Sequence, residues 1–404
     1  MSHLPESPID GFSPTDPNLG QYVLYWISLG KRPFTVKELQ HVCAMKYARG
    51  KLNSQDLRAV ERSFSTFGSL ITVDEPTQVV GLGNLGENHF EQQAISKSAQ
   101  EIQLYLALKC ISYLSLESMN SGYAPDNASF ERRLAEYPFL DYAAHWWAAH
   151  VKELQLEHLD RRLKILLLSF LMNDDLVACA SQVQFTKIWD YSEYSQASPR
   201  NVSGLHLAAY FGLSDICADL ISPGSGCINV NARDSNGQTP LAWAAKQGHG
   251  RVVRLLLDCE GIEPDAVDIL GDSPLSLAAA SGHSSIVGQL LSCGNVDADR
   301  RGNLDLTPLL WAATNGHEAA VRAVIEYHDI NGSSMKQYAS WALYCAASSG
   351  HVAIVQLLLY RNDVDIYILK DGRTAMAWAG IEGHQAVLDL LQEHERLRND
   401  TRTT

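Results

Sequence analysis

The sequence predicts a mostly α-helical chain: a small module of three helices and a β-hairpin, a helical linker, and then a solenoid of about six stacked helix pairs. Three observations predict it. Gly-His pairs recur at 248–249, 282–283, 316–317, 350–351 and 383–384, at intervals of 34, 34, 34 and 33 residues. Each closes a related string, among them "TPLAWAAKQGH", "SPLSLAAASGH" and "TPLLWAATNGH". Ahead of the repeats, three helical stretches lead into "LITVDEPTQVVGL", an apolar–turn–apolar pattern typical of a hairpin.

In chain order, residues 1–18 are polar and proline-rich and read as a disordered tail without the plan of a signal peptide. Residues 19–30 form an apolar helix. Thr35 can cap the next one, with Glu38 three residues on as in a capping box and Leu39, Val42 and Cys43 as its apolar face. Leu57, Val60 and Phe64 line a third, and Val73 and Val79 flank the turn at 74–77. Three short helices and a hairpin are the order of a winged helix, assigned to residues 19–92. Residues 98–117 and 130–190 are helical by pattern, inside a helical segment spanning 93–200. Repeats fill 201–397, and 398–404 is a tail.

One repeat shows the physics. Thr239 is placed to cap a helix, with Pro240 at its first position. Leu241, Ala244 and Ala245 make a helix that a neighbour can approach closely, and Gly248 ends it where left-handed dihedrals are tolerated. "GRVVRLLLDC" is a second, amphipathic helix. A single pair cannot bury both faces, so stability must come from stacking. The recurring T-P-L-x-x-A-A-x-x-G-H string resembles the ankyrin repeat over about half of the chain. An earlier copy, "SGLHLAAYFGL", sits 36 residues ahead, with the insert "SPGSG" absorbing the difference. Two departures stand out. Asp305 replaces the turn glycine of the fourth copy, and Ala339, Trp341 and Ala342 replace Gly, Thr and Pro in the fifth, which is expected to be the loosest joint. The Gly-His histidines (His249, His283, His317, His351 and His384) lie on different repeats, and loop-satisfying hydrogen bonds explain them better than a metal. Trp243, Trp311 and Trp378 share one position. They read as packing between repeats, with a binding stripe as the alternative.

The string "VVGLGNLGENH" contains Gly81, Gly83 and Gly86 at dinucleotide-fingerprint spacing. That fingerprint requires a parallel βαβ unit, whereas here it follows an antiparallel hairpin and reads as a glycine-softened exit. Asp141 and His145, four apart on a helix, form an i,i+4 pair with no nucleophile beside them. No catalytic constellation and no cofactor or metal site emerge. The closest cysteines are ten residues apart, so no CxxC element exists.

At "RPFTVKELQ", "LITVD" and "ERRLAEYPFLDYAAHWWAAH" the chain resembles the region between the nucleotide-binding module and the repeats of fungal NACHT–ankyrin proteins, NLR-like signal-transducing ATPases. Tyr137, Pro138, Phe139, Asp141, Tyr142, Ala143 and Trp147 match that family's Y-P-F-x-D-Y-A-x-x-x-W motif. The resemblance implies the architecture of winged helix, helical segment and ankyrin repeats. It does not extend to the ATPase: no G-x-x-x-x-G-K-[ST] occurs, and Asn84 stands where the family usually has a histidine.

The formal net charge is −14, with 18 Lys and Arg against 23 Asp and Glu in residues 1–200 and 14 against 23 in 201–404. Such a chain is poorly suited to non-specific phosphate-backbone binding. A DNA-associated regulator stays open as an alternative, because Lys31, Arg32, Lys37, Lys46, Arg49, Lys51, Arg58 and Arg62 face three acids within residues 31–62. No membrane span or small-molecule site is indicated, and a cytoplasmic location is expected, with the nucleus as alternative. The leading expectation is a non-enzymatic scaffold, adaptor or regulatory protein that binds a protein partner on the concave face of its repeats. An auxiliary factor of a fungal biosynthetic or signalling pathway is the other alternative. The expected contact residues are Arg233, Ser235, Asn236 and Gln238 at one turn tip, Ile269 and Leu270 at the next, and Lys246, Gln247, Ser281, Thr314 and Asn315 at the inner helix ends.

Overall fold

The structure, a computed structural model, describes residues 19–45, 52, 54–64, 71–83, 98–154, 160–187, 193–222, 228–331, 336–361, 364–370 and 372–403. The expected tail at 1–18, Asn84 and Gly86, Lys46, Arg49 and Lys51, and insert residues 223–226 lie outside these. The chain forms two compact units, residues 1–207 and 208–404.

The first unit opens with α1 (Leu19–Leu29), β1 (Phe34–Thr35), α2 (Val36–Ala44), α3 (Ser54–Phe64), β2 (Ile71–Asp74) and β3 (Val79–Leu82). The strands make one antiparallel sheet in the order β1-β3-β2, with Phe34 opposite Val80 and Val73 opposite Val80 from the other side. β1 is too short to leave a hydrophobic pattern, and sequence reading missed it. Thr35 caps α2 with both halves of the capping box in place. Gly81 lies in β3, paired with Thr72 across the hairpin, so the first glycine of the fingerprint string sits on an antiparallel strand.

Among the described residues five α-helices follow: α4 (Ala99–Leu114), α5 (Asn127–Glu136), α6 (Leu140–Lys152), α7 (Arg161–Leu171) and α8 (Asp174–Phe185). The aromatic string at 137–147 supplies the core that joins them to the N-terminal elements. Trp26, fully buried, has the Phe139 ring at 5.1 Å, Phe34 at 5.6 Å and Tyr142 at 5.8 Å. Edge-to-face contacts of this kind add to the burial of large rings. A directed polar chain runs beside them. Lys31 N–H donates to the Tyr142 hydroxyl (2.9 Å), that hydroxyl faces His150 Nε2 (2.8 Å), and His150 Nδ1 faces Gln103 Oε1 (2.7 Å). Asp141 does not form an isolated pair with His145. It also binds Arg32 (2.9 Å), whose guanidinium holds buried Glu38 at 2.7 Å. The partner lies 109 residues away, beyond the reach of helical periodicity.

Next come six helix pairs: α9 (Gly204–Tyr210) with α10 (Ser214–Ile221), α11 (Pro240–Gln247) with α12 (Gly250–Leu257), and α13 (Pro274–Ala280) with α14 (Ser284–Leu291). The others are α15 (Pro308–Thr314) with α16 (Glu318–Ile330), α17 (Lys336–Ser348) with α18 (Val352–Leu359), and α19 (Ala375–Ile381) with α20 (Gln385–Thr403). The last helix runs past 397, where the tail was expected. Thr239, Ser273, Thr307 and Thr374 each accept a backbone N–H at the start of an inner helix.

The fifth pair departs from the sequence expectation. α17 begins at Lys336, so Ala339 and Trp341 lie inside a helix and Ala339 is fully buried. The turn and cap that those residues seemed to spoil are replaced by extra helical turn. Ser340 ties it down, donating to the Lys336 carbonyl and accepting from Asp365 N–H. Residues 332–335, just ahead of this helix, lie outside the described residues.

The fourth pair keeps its turn at a cost. Gly237 and Gly271 occupy left-handed turn positions, whereas the equivalent residue is Asp305 at φ 59°, preceded by Leu304 at φ 57°. An Asp305→Gly substitution is expected to stabilise the second unit by about 1 kcal/mol, since left-handed backbone is free for glycine and the exposed Arg301–Asp305 pair it removes contributes little. Chemical denaturation checks this, and an unchanged midpoint would show that the turn is not strained.

Candidate functional site

The second unit presents a row of turns, or fingers, and the ends of its inner helices. The first finger spans Asp234 to Gln238. Asp234 Oδ1 accepts from Asn236 N–H (2.9 Å) and Gln238 N–H (2.8 Å), while Oδ2 accepts from the Trp243 indole (3.1 Å). In the second finger Asp268 Oδ1 does the same for Leu270 and Asp272, each at 2.9 Å. The third has Gly302 at that place, and Asp272 of the finger before it reaches across to Asn303 N–H (3.1 Å) and the Trp311 indole (3.2 Å). Burial pushes the Asp234 and Asp272 carboxyls up, against the pull of the hydrogen bonds they accept. Trp243 and Trp311 thus serve as donors to finger aspartates, whereas the buried Trp378 indole N–H makes no hydrogen bond.

The Gly-His pairs form a second ladder. His249 Nε2 donates to the Tyr210 carbonyl (2.8 Å), His283 to Lys246 (3.1 Å), His317 to Ala280 (3.1 Å), His351 to Thr314 (2.8 Å) and His384 to Ser348 (3.2 Å). Each histidine satisfies a helix-end carbonyl of the preceding pair. Its ring packs on the glycine there: a Cβ on Gly248 would lie 2.6 Å from His283, and one on Gly282 2.6 Å from His317. Glycine is required twice, by its left-handed backbone and by the ring above it.

Among the expected contact residues, the fingers bring Arg233, Ser235, Asn236, Gln238, Ile269 and Leu270 together, since Ile269 N–H donates to the Asn236 carbonyl (2.9 Å). Two of these are engaged in joining fingers. Arg233 donates to the Val267 carbonyl (2.7 Å) and Gln238 to Asp268 (3.0 Å). At the helix ends Lys246 and Gln247 are exposed and Ser281 and Thr314 are half-buried. Asn315 is exposed but donates to the Ala280 carbonyl (2.8 Å), so it braces the ladder. Ile269 and Leu270 are both well exposed, with no neighbouring finger covering either. Sequence reading missed Leu304, exposed at the third tip; the signal was its neighbour Asp305 at a turn-glycine position.

Among the described residues no group of three His, Cys, Asp or Glu side chains could hold a metal ion. No helix among them is long and apolar enough to cross a membrane. The described cysteines are free thiols.

Finger, capped inner helix, glycine stop and outer helix define the second unit as a stack of ankyrin repeats. The family model described as ankyrin repeats (3 copies) matches residues 205–301, 260–333, 275–369 and 331–403. Among curated proteins, the chain is similar to acyl-CoA-binding domain-containing protein 4 of Oryza sativa subsp. japonica, 36% identical over 66 residues, 16% of this chain and 19% of that protein. It is also similar to transient receptor potential cation channel subfamily A member 1 of Homo sapiens, 46% identical over 55 residues, 14% of this chain and 5% of that protein. The chain spans less than a fifth of the length of either relative.

Proposed function

We propose that this chain is a non-enzymatic scaffold or regulatory protein that captures a protein partner on the finger face of its ankyrin repeats. The observation that carries the reading is the state of the tips. The polar groups beneath them are consumed by the fold, yet Ile269 and Leu270 are left in solvent, and adjacent exposed aliphatics mark contact surfaces. Before it we place a winged-helix-like domain at 19–92 and a helical segment at 93–200, the arrangement of the NACHT–ankyrin proteins that the Y-P-F motif resembles. The order α1-β1-α2-α3-β2-β3 and the burial of Phe139, Tyr142 and Trp147 support that placement. DNA association draws less support, because Lys31 is paired with Glu153 and Arg32 with Glu38 and Asp141.

The test compares wild type with an Ile269→Asp, Leu270→Asp, Lys246→Glu variant, Asn315 being left intact because it braces the ladder. The variant is expected to melt within a few degrees of wild type, as exposed sites usually allow. It should lose the partners that wild type retains from native extract. A variant that melts normally and captures the same set would exclude the finger face.

A further inference from the structure

Ile269, Leu270 and Leu304 stand on adjoining fingers with 70%, 56% and 76% of their surface exposed. The two turns are locked together, by Asn303 N–H on Asp272 Oδ1 and by Gly302 Cα lying 3.4 Å from where a Cβ on Gly271 would be. The three side chains therefore form one short ridge. Leu304 adds an independent observation. It is held at φ 57°, a region that leucine disfavours, whereas the equivalent residues, Leu270 one finger earlier and Asn236 two fingers earlier, keep negative φ. Burial gives no reason for an aliphatic side chain there. Strain that buries nothing points to a surface used in recognition.

Charge says what kind of partner fits. Beneath the ridge lie the carboxylates of Asp234, Asp268 and Asp272, held by backbone, indole and amide donors. Arg301 and Arg233 face Asp305 and Glu263, which offset them, and Lys246 is near enough to Asp272 to favour its ionised form. Around these, residues 201–404 carry 14 basic against 23 acidic side chains. An apolar ridge in a negative field is complementary to a segment that is both aliphatic and basic.

We propose that the ridge of Ile269, Leu270 and Leu304 docks a basic amphipathic helix of a protein partner, with aliphatic side chains one helical turn apart on the ridge and Lys or Arg on its solvent side, drawn by the net negative charge of the repeats rather than by direct contact with the buried finger carboxylates. This rests on the finger-face reading and specifies the partner's chemistry. The experiment pans a random peptide display library on the intact chain. Enriched peptides are then titrated by fluorescence anisotropy against wild type, a Leu270→Asp, Leu304→Asn variant and a Lys246→Glu variant. Asparagine suits the left-handed position, so the tip variant should fold, and its melting curve verifies this. The expected peptides carry net positive charge and aliphatic residues three or four apart. They should bind the tip variant roughly tenfold more weakly or worse, and weaken steeply as salt is raised, since exposed charges are screened within about 10 Å at 0.1 M. Enrichment of acidic or uncharged peptides, or unchanged affinity for the tip variant, overturns the proposal. Peptides that lose affinity for Lys246→Glu but not for the tip variant would leave the finger-face reading standing and remove this one. Indifference to both variants, or no enrichment, would remove both.

Discussion

Gly282→Ala is expected to destabilise the second unit by about 3 kcal/mol, combining a left-handed alanine at 1–2 kcal/mol with the loss of the rung above it. Gly282 sits at φ +77°, and a Cβ there would lie 2.6 Å from the His317 ring, which would have to leave the Ala280 carbonyl. For a unit of this size each kcal/mol shifts the melting temperature by about 2–4 °C, so a drop on the order of 10 °C is expected by calorimetry. Gly383→Ala is the control. Its φ is +75° but nothing lies within 4 Å, so it should cost only the backbone part, about 1–2 kcal/mol. Equal losses for both would mean that the histidine rungs contribute nothing.

Acidification should weaken the first unit through His150. Burial, and then the positive charge of Lys31, push its pKa down to about 3. The hydrogen-bond chain agrees. A neutral ring can donate from Nδ1 to Gln103 and accept at Nε2 from the Tyr142 hydroxyl, and a second proton would break that order. The unfolded ring titrates near 6.5, so its stabilisation is complete above that pH and declines as pH falls towards 3. Between pH 7 and pH 5 the loss is about 2 kcal/mol, from 1.36 kcal/mol per unit of pKa difference. His41, lowered to about 4 chiefly by burial, acts in the same direction. Denaturation midpoints at pH 7, 6 and 5 measure the effect. A His150→Gln variant should lose a smaller share of its own stability over that range, and an unaltered pH profile would show that His150 is not the titrating group.

Much of the second unit was legible because each feature depends on residues close in sequence. A threonine cap needs the amide three residues on, and a glycine stop needs only its own dihedral. Both appear where the motif places them, at Thr239 and Gly248. The same logic misread the fifth pair. Local rules treat Trp341 as a failed cap, yet it lies inside a helix that runs from Lys336 to Ser348. The candidate surface was legible in part. Ile269 and Leu270 were visible as adjacent apolar residues in turn text. Arg233, Gln238 and Asn315 looked free only because their acceptors lie 34, 30 and 35 residues away on the next or preceding repeat.

By itself the sequence determined the helical class, the roughly 34-residue repeat with its caps and stops, and the antiparallel hairpin that holds Gly81. All of these rest on periodicity and on φ/ψ preferences within a few residues. Only the tertiary structure decided that β1 joins the hairpin, that Asp141 answers Arg32, and that His150 is buried neutral. It likewise decided that the Gly-His histidines cap their neighbours' helices and that Leu304 projects from a strained turn. Hydrogen bonds and burial between residues tens of positions apart leave no periodic trace in a single chain, because their partners become neighbours only when the elements pack.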